Sequence, residues 1–141
     1  MRLLVAGEFY DQEEIYRKQI ADNGLTDKVI IRNEFIPDAD LRLYFGAANL
    51  IVQPYKTATQ SGVTQVAFHF EKPMLVTNVG GLGEIVHDHK MGYATEPNAD
   101  AIADAIVDYY ENDRQEDYTE YLIGQKELYS WSRLTKVFFE V

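Results

Sequence analysis

The sequence predicts an α/β fold of Rossmann-like type: a three-layer α/β/α arrangement around a parallel sheet, finished by C-terminal helices. Three observations predict it. Short apolar runs alternate with helical periodicity over roughly the first hundred residues. The runs are continuously apolar instead of alternating, as in strands covered on both faces. Two small-residue turns, one around Ser61-Gly62 and one at Gly80-Gly81, each follow such a run and open a helical pattern, which is how an open α/β sheet builds a site for a phosphorylated ligand.

The elements follow in order. Arg2 to Ala6 is an apolar strand ending at Gly7, and Asp11 offers an N-cap for a helix with Ile15, Tyr16 and Ile20 at helical spacing. Asn23-Gly24 closes that helix. The β-branched run Val29-Ile30-Ile31 reads as strand, Phe35-Ile36-Pro37-Asp38 as loop, and Asp40 as the cap of a helix from Leu41 to Ala48. Leu50-Ile51-Val52 is the next strand, stopped by Pro54. A polar loop from Tyr55 to Gln60 leads to a helix starting near Gly62. Met74 to Thr77 is a further buried strand, Leu82 to Val86 a short helix, and Tyr93-Ala94 a last short strand. From Asp100 the pattern is helical, with Ile102, Ala105, Ile106 and Tyr109 on one face. Two more helices are predicted, from Tyr118 to Tyr129 and from Ser132 to Phe139.

The 141 residues fit one domain, 1–141, with no repeat, linker or low-complexity segment. No apolar run approaches the twenty or so residues a bilayer requires, and Met1-Arg2-Leu3-Leu4-Val5 is too short for a secretory signal. Cysteine is absent, which excludes disulfides and thiolate metal sites and leaves the cytoplasm as the default compartment. With 13 basic residues scattered among 23 acidic ones, the formal charge of −10 excludes a nucleic-acid surface. A nucleotide as a small ligand stays open.

Function is expected in the segment from Gln60 to Gln65. Unpaired N–H groups at a helix start, at the positive end of the dipole, favour an anion. Gly62 allows a phosphate close to the backbone, and Ser61 and Thr64 can add hydroxyl donors to the amides of Ser61, Gly62, Val63 and Thr64. The plainer alternative is that Ser61 is an ordinary N-cap and Gly62 a packing choice. Gly80-Gly81 reads either as a tight turn or as the far wall of the same site. Gly7 is either a strand-end turn or a place where ligand meets backbone. Lys56 is a nearby loop cation that either offsets ligand charge or is merely solvated. Glu84 reads either as a first-turn partner of a helix dipole or as a group of the ligand site. His69 stands alone and His87-Asp88-His89 fits no helical ligand pair, so no metal site is expected. The tyrosines Tyr109, Tyr110, Tyr118, Tyr121 and Tyr129, with Trp131, read as packing between helices, with sugar stacking as the alternative.

At this point the chain resembles a family. The ordered pieces Leu3-Leu4-Val5-Ala6-Gly7, Gly24-Leu25-Thr26-Asp27-Lys28-Val29, Phe35-Ile36-Pro37, Ala47 through Tyr55, Ser61-Gly62-Val63, Lys72 through Leu82, Glu84-Ile85-Val86 and Gly92 are similar to the C-terminal, donor-binding half of GT-B glycosyltransferases of the retaining family 4. They cover the chain to about Ile106, and Tyr129-Ser130-Trp131 resembles the family's closing segment. The resemblance implies a nucleoside diphosphate sugar donor of UDP or GDP type, with no separate cofactor. It places the donor diphosphate at Gln60 to Thr64, and the donor sugar or base at Gly7, Phe35, Ile36, Gly80 and Gly81. Phe35 and Ile36 read equally well as core.

Two departures accompany the resemblance. The family's two glutamates fall here on Ala58 and Val66, neither acidic, which leaves Gln60 and Gln65 as neutral hydroxyl-binding groups nearby. The family's first strand and helix, with their basic residues, and its N-terminal acceptor domain have no counterpart here. The chain is therefore expected to be a domain of a larger hexosyltransferase for glycan or polysaccharide synthesis, inactive alone. Without that first strand, the strands Arg2 to Ala6 and Leu50 to Val52 are expected either to be forced together in a collapsed sheet or to expose unpaired edges that favour self-association, and the full enzyme could be cytoplasmic or peripheral to a membrane. The alternative of a different class is a non-catalytic doubly wound nucleotide-binding or regulatory module.

Overall fold

A computed structural model describes residues 1–10, 12–88 and 90–128, without the side chains of residues 87, 88, 127 and 128. The order of elements is β1 (Leu3–Ala6), α1 (Glu13–Asp22), β2 (Val29–Arg32), α2 (Asp38–Ala47), β3 (Ile51–Gln53), α3 (Gly62–His69), β4 (Met74–Thr77), α4 (Leu82–Asp88), β5 (Gly92–Thr95), α5 (Ala99–Glu111) and α6 (Gln115–Leu128). Every strand pairing is parallel, as the alternation of strand and helix predicts. The chain divides into two compact units, 1–42 and 43–141, with the boundary inside α2.

In the first unit, β1 pairs with β2, Leu3 opposite Val29 and Ala6 opposite Arg32. The crossover helix α1 carries Glu13 and Glu14 in its first turn, where carboxylates complement the dipole, and the i,i+4 pairs Glu13–Arg17 and Lys18–Asp22 along its surface. The expected cap Asp11 lies outside the described residues, and Gln12 takes the N-cap position. The predicted stop at Asn23-Gly24 is present. Gly24 adopts a φ of +64° and donates to Ala21 O, while Leu25 N–H reaches back to Ile20 O, which satisfies the last carbonyls of the helix. The Asn33 side chain ties the loop after β1 to α1: its Oδ1 accepts from Phe9 N–H and its Nδ2 donates to Glu13. These contacts, the Asn33 bond first and Arg17 next, hold the Glu13 carboxyl below its ordinary pKa. The expectation of strands covered on both faces fails for β1. Leu3, Leu4 and Val5 are all exposed, because among the described residues β1 has one paired neighbour and a single crossover helix covers at most one face.

In the second unit, the sheet order is β3-β4-β5. Ile51 pairs with Met74 and Gln53 with Val76 on one side, Met74 with Gly92 and Thr77 with Thr95 on the other. The central strand β4 is buried along its whole length, which explains its unbroken apolar run. Around it Phe45, Ala67, Leu82, Val86, Met91, Ala105, Tyr109 and Leu122 form the core. Gly92 is required by this sheet: its φ is +146°, and a Cβ there would lie 1.8 Å from Met74 O.

Several boundaries differ from the sequence expectation for local reasons. The helix α2 starts at Asp38, not after a cap at Asp40, because the Pro37 carbonyl accepts from Asp40 N–H and places both aspartates in the first turn. The strand β3 lies one residue later than expected, which carries Gln53 into the sheet before Pro54 ends the ladder. The helix α5 is capped by Asn98, whose Oδ1 accepts from Ala101 N–H. The expected helix at Ser132 to Phe139 and the segment Tyr129-Ser130-Trp131 lie outside the described residues. Tyr109 is buried and donates to Asn49 O at 2.8 Å, and Tyr93 donates to Asp108 and meets Tyr109 and Tyr118 edge-on. Among the described residues these rings pack strand against helix, in line with the packing reading. No described helix is long and apolar enough to cross a membrane.

Two predictions follow from this packing. Gly92→Ala is expected to lower stability by about 3 kcal/mol, through backbone strain and the clash with β4, whereas Gly46→Ala, at a helical position where a Cβ meets nothing, should be neutral or stabilise by up to about 1 kcal/mol. Urea unfolding of the two variants checks this. Burial, with the Asp108 bond in the case of Tyr93, pushes the Tyr93 and Tyr109 hydroxyls above the ordinary tyrosine value. Unfolded tyrosines lose their protons first, so the contribution of these two is complete below about pH 10 and is lost as pH rises beyond it. The urea midpoint should fall above that pH, and fall less in Tyr93→Phe.

Candidate functional site

The site is built where β3 hands the chain to α3. Pro54 ends the strand, residues 54–61 form the loop, and Ser61 takes an extended N-cap conformation (φ −135°, ψ 129°) before α3 begins at Gly62. Ser61 Oγ accepts from Val63 N–H and Ser61 O from Thr64 N–H, both at 3.2 Å. Ser61 is thus an N-cap, as the plainer reading held. The amides of Val63 and Thr64 are engaged in the helix start, and among the described residues those of Ser61 and Gly62 have no partner. The four amides expected to face an anion therefore separate into two engaged and two open.

Gly62 is exposed, and a Cβ built on it would meet nothing within 4 Å. Among the described residues, then, no neighbour requires a glycine at this position. Thr64, in contrast, is 2% exposed and its hydroxyl donates to Gln53 Oε1 at 3.1 Å, so the expectation of Thr64 as a hydroxyl donor to a ligand is not met in this geometry. Gln60 and Gln65 are exposed, and among the described residues their side chains make no hydrogen bond. Lys56 is exposed on the loop and is the only charged side chain between Gln53 and Val66.

The second glycine turn meets the first. Gly80 has a φ of +55°, and a Cβ on it would lie 1.9 Å from Ala58 O; Gly81 N–H donates to Thr59 O at 3.2 Å. The two turns singled out in the sequence are therefore in contact, and Gly80 is needed both for its dihedral and for the approach of the loop. Ala58, one of the two positions where an acid was expected by resemblance, supplies a backbone carbonyl to that contact. Val66, the other, is half-buried on α3. Glu84 is exposed in the first turn of α4, where its charge complements the dipole.

Gly7, Phe35 and Ile36 belong to the first unit. Gly7 ends β1 with a φ of +133°, donates to Arg32 O at 3.1 Å and has open space where a Cβ would stand. Phe35 is 69% exposed, which excludes a core role, and Ile36 is half-buried. His69 is exposed on α3 against the Phe70 ring, and His89 and the His87 side chain lie outside the described residues. Among the described residues no three histidine or acidic side chains gather as a metal site would require.

Three further residues shape this region, none of them expected from the sequence to do so. Gln53, at the end of β3, is 2% exposed and holds Thr64, yet its Nε2 has no partner. The Tyr55 hydroxyl bonds Ser61 Oγ at 3.2 Å. The Thr77 hydroxyl, at the end of β4, donates to Tyr55 O at 2.6 Å, with Gln53 O at 3.4 Å. Among the described residues, the two buried side-chain atoms without partners, Gln53 Nε2 and Thr95 Oγ1, both stand at the carboxyl ends of strands, the edge where open α/β sheets bind ligands. The available signal was a polar residue closing an otherwise apolar strand.

The model for glycosyl transferases group 1 matches residues 1–112. A D-inositol 3-phosphate glycosyltransferase from Paenarthrobacter aurescens is 28% identical over 123 residues, covering 86% of this chain and 30% of that protein. A sucrose-phosphate synthase structure from Thermosynechococcus elongatus aligns with a TM-score of 0.73 over 99% of this chain and 38% of that one, at 21% identity, which shows a shared parallel α/β fold, the Rossmann-like half of a GT-B architecture. The chain spans about a third of the length of these two proteins. With most of its length matched by the family model, the chain belongs to the group 1 glycosyl transferases.

Proposed function

We propose that this chain is the donor-binding domain of a transferase that moves a hexosyl group from a nucleoside diphosphate sugar, of UDP or GDP type, to an acceptor hydroxyl with retention of configuration, in glycan or polysaccharide synthesis. The observation that carries the reading is Gly62: a glycine with open space around it at the start of α3, next to the unpartnered amides of Ser61 and Gly62 itself. Family membership supports glycosyl transfer.

In this reading the bond between the sugar and the diphosphate breaks while negative charge builds on the departing diphosphate. The Ser61 and Gly62 N–H groups and the positive end of α3 stabilise that charge where it develops. Their orientation is set before the reaction, because the Ser61 cap and the contact of Gly80 with Ala58 fix the loop. The side chains of this region add little charge: Lys56 is the one cation of the loop and Glu84 the one acid between Thr77 and Val86. No side chain here is placed as a base toward the acceptor, which belongs to a domain other than this one.

Titration of the chain with UDP and GDP by NMR tests the reading. The largest amide shifts are expected at Ser61 and Gly62, with smaller ones at Gly80 and Gly81, and an affinity of roughly 0.1 to 1 mM, as a few contacts without a basic cluster give. Gly62→Val should leave the unfolding midpoint nearly unchanged, since a Cβ there meets no neighbour, and should weaken binding about tenfold or more. Shifts confined to α5 and α6, or binding unaltered in Gly62→Val, would remove the diphosphate from this turn.

A further inference from the structure

We propose that the polar end of β3 is a positioning device for the diphosphate turn, in which Gln53 holds Thr64 and Tyr55 holds Ser61. The inference rests on the reading of that turn as an anion site. It assigns work to two residues, Gln53 and Tyr55, that stand outside the set expected to touch the donor.

The geometry has a simple logic. Gln53 and Tyr55 flank Pro54, two residues apart in a chain leaving the sheet. Their partners, Ser61 and Thr64, are three residues apart, one at the cap of α3 and one in its first turn. Two cross-links therefore pin both ends of the segment that carries the Ser61 and Gly62 amides. The base of the arrangement is fastened in turn to β4, because the buried Thr77 hydroxyl donates to the Tyr55 carbonyl and lies beside that of Gln53. Fixing an anion-binding turn in advance removes the ordering cost at the moment of binding.

The protons give a second argument. Ser61 Oγ already accepts from Val63 N–H, and it shares one hydrogen bond with the Tyr55 hydroxyl. The two hydroxyls carry two protons and that bond uses one, so in either donor sense one proton is left at the cap for a phosphate oxygen. Gln53 shows the same bias toward position. Its Oε1 is used to hold Thr64 while its Nε2, in a residue 2% exposed, is left without a partner, a loss that an apolar residue would avoid. Replacing both members of such a pair by apolar residues of similar shape is close to neutral for stability. A purely structural pair would therefore be dispensable when removed whole, and a positioning pair would not.

The test uses the full chain with four changes: the double substitution Gln53→Leu with Thr64→Val, and the single substitutions Thr64→Ser and Tyr55→Phe. The readouts are the urea midpoint, hydrogen exchange of the Val63 and Thr64 amides, and affinity for UDP and GDP. The double variant is expected to keep its urea midpoint while exchange at Val63 and Thr64 quickens about tenfold and nucleotide affinity falls about tenfold. Thr64→Ser, which keeps the hydroxyl, should match the wild type in both. Tyr55→Phe should fold normally, quicken exchange at Val63 and weaken binding several-fold. Wild-type exchange together with wild-type affinity in the double variant overturns the proposal. If the double variant does not fold, the same two readouts on Tyr55→Phe decide in the same way. If the wild-type chain binds neither nucleotide, the anion-site reading falls, and exchange at Val63 and Thr64 still upholds or overturns the positioning of the turn by Gln53 and Tyr55.

Discussion

A strand buried on both faces satisfies its backbone only by pairing on both edges, and β4 is the strand on which this demand falls. Met74, Leu75 and Val76 are fully buried and Thr77 nearly so, and each hydrogen-bonding edge of the strand is met by a parallel neighbour. Parallel pairing in turn requires crossover helices, which fixes α3 and α4 on either side of β4 in the chain and brings their N-termini to the carboxyl edge of the sheet. The glycine at position 92 follows from the same demand, since β5 can approach Met74 closely only without a side chain there.

The candidate site inherits its geometry from that edge. The loop before α3 and the turn before α4 converge because β3 and β4 end side by side, and the contact of Gly80 with the Ala58 carbonyl is the point where they touch. Two backbone amides at the start of α3 are left open, in a region with one cation and one acid. In the proposed reading an anion is held by the backbone, so the position of the backbone matters more than the charge of any side chain. Gln53 and Thr77, buried at the ends of β3 and β4, and the half-buried Tyr55 just beyond β3 make bonds at this edge that apolar residues could not.

Legibility in the sequence followed how local the cause was. The Asn23-Gly24 stop, the Ser61 cap and the strands at Met74 and Tyr93 depend on residues within a turn of themselves, and the structure has them where the pattern places them. The contact between the two glycine turns was legible as a pairing of motifs, though not as the backbone approach that makes Gly80 necessary. An open sheet edge was expected from the resemblance, but the exposure of Leu3, Leu4 and Val5 was not legible, because the run has the composition of a covered strand. The roles of Gln53, Tyr55 and Thr77 were also hidden, since each depends on a partner eleven, six or twenty-two positions away. Thr64 was read as a hydroxyl donor to a ligand from its position in the first turn, and the structure buries it with its hydroxyl donating to Gln53.

The central claim is that the diphosphate of a nucleotide meets this chain at the backbone of the α3 start. A crystal structure of the chain grown with UDP tests it most directly. The account predicts a diphosphate oxygen within hydrogen-bonding distance, about 2.7 to 3.2 Å, of both the Ser61 and Gly62 amide nitrogens, with the Ser61–Tyr55 and Thr64–Gln53 bonds retained. A diphosphate bound elsewhere on the second unit, with the Gly62 amide still open, would contradict it.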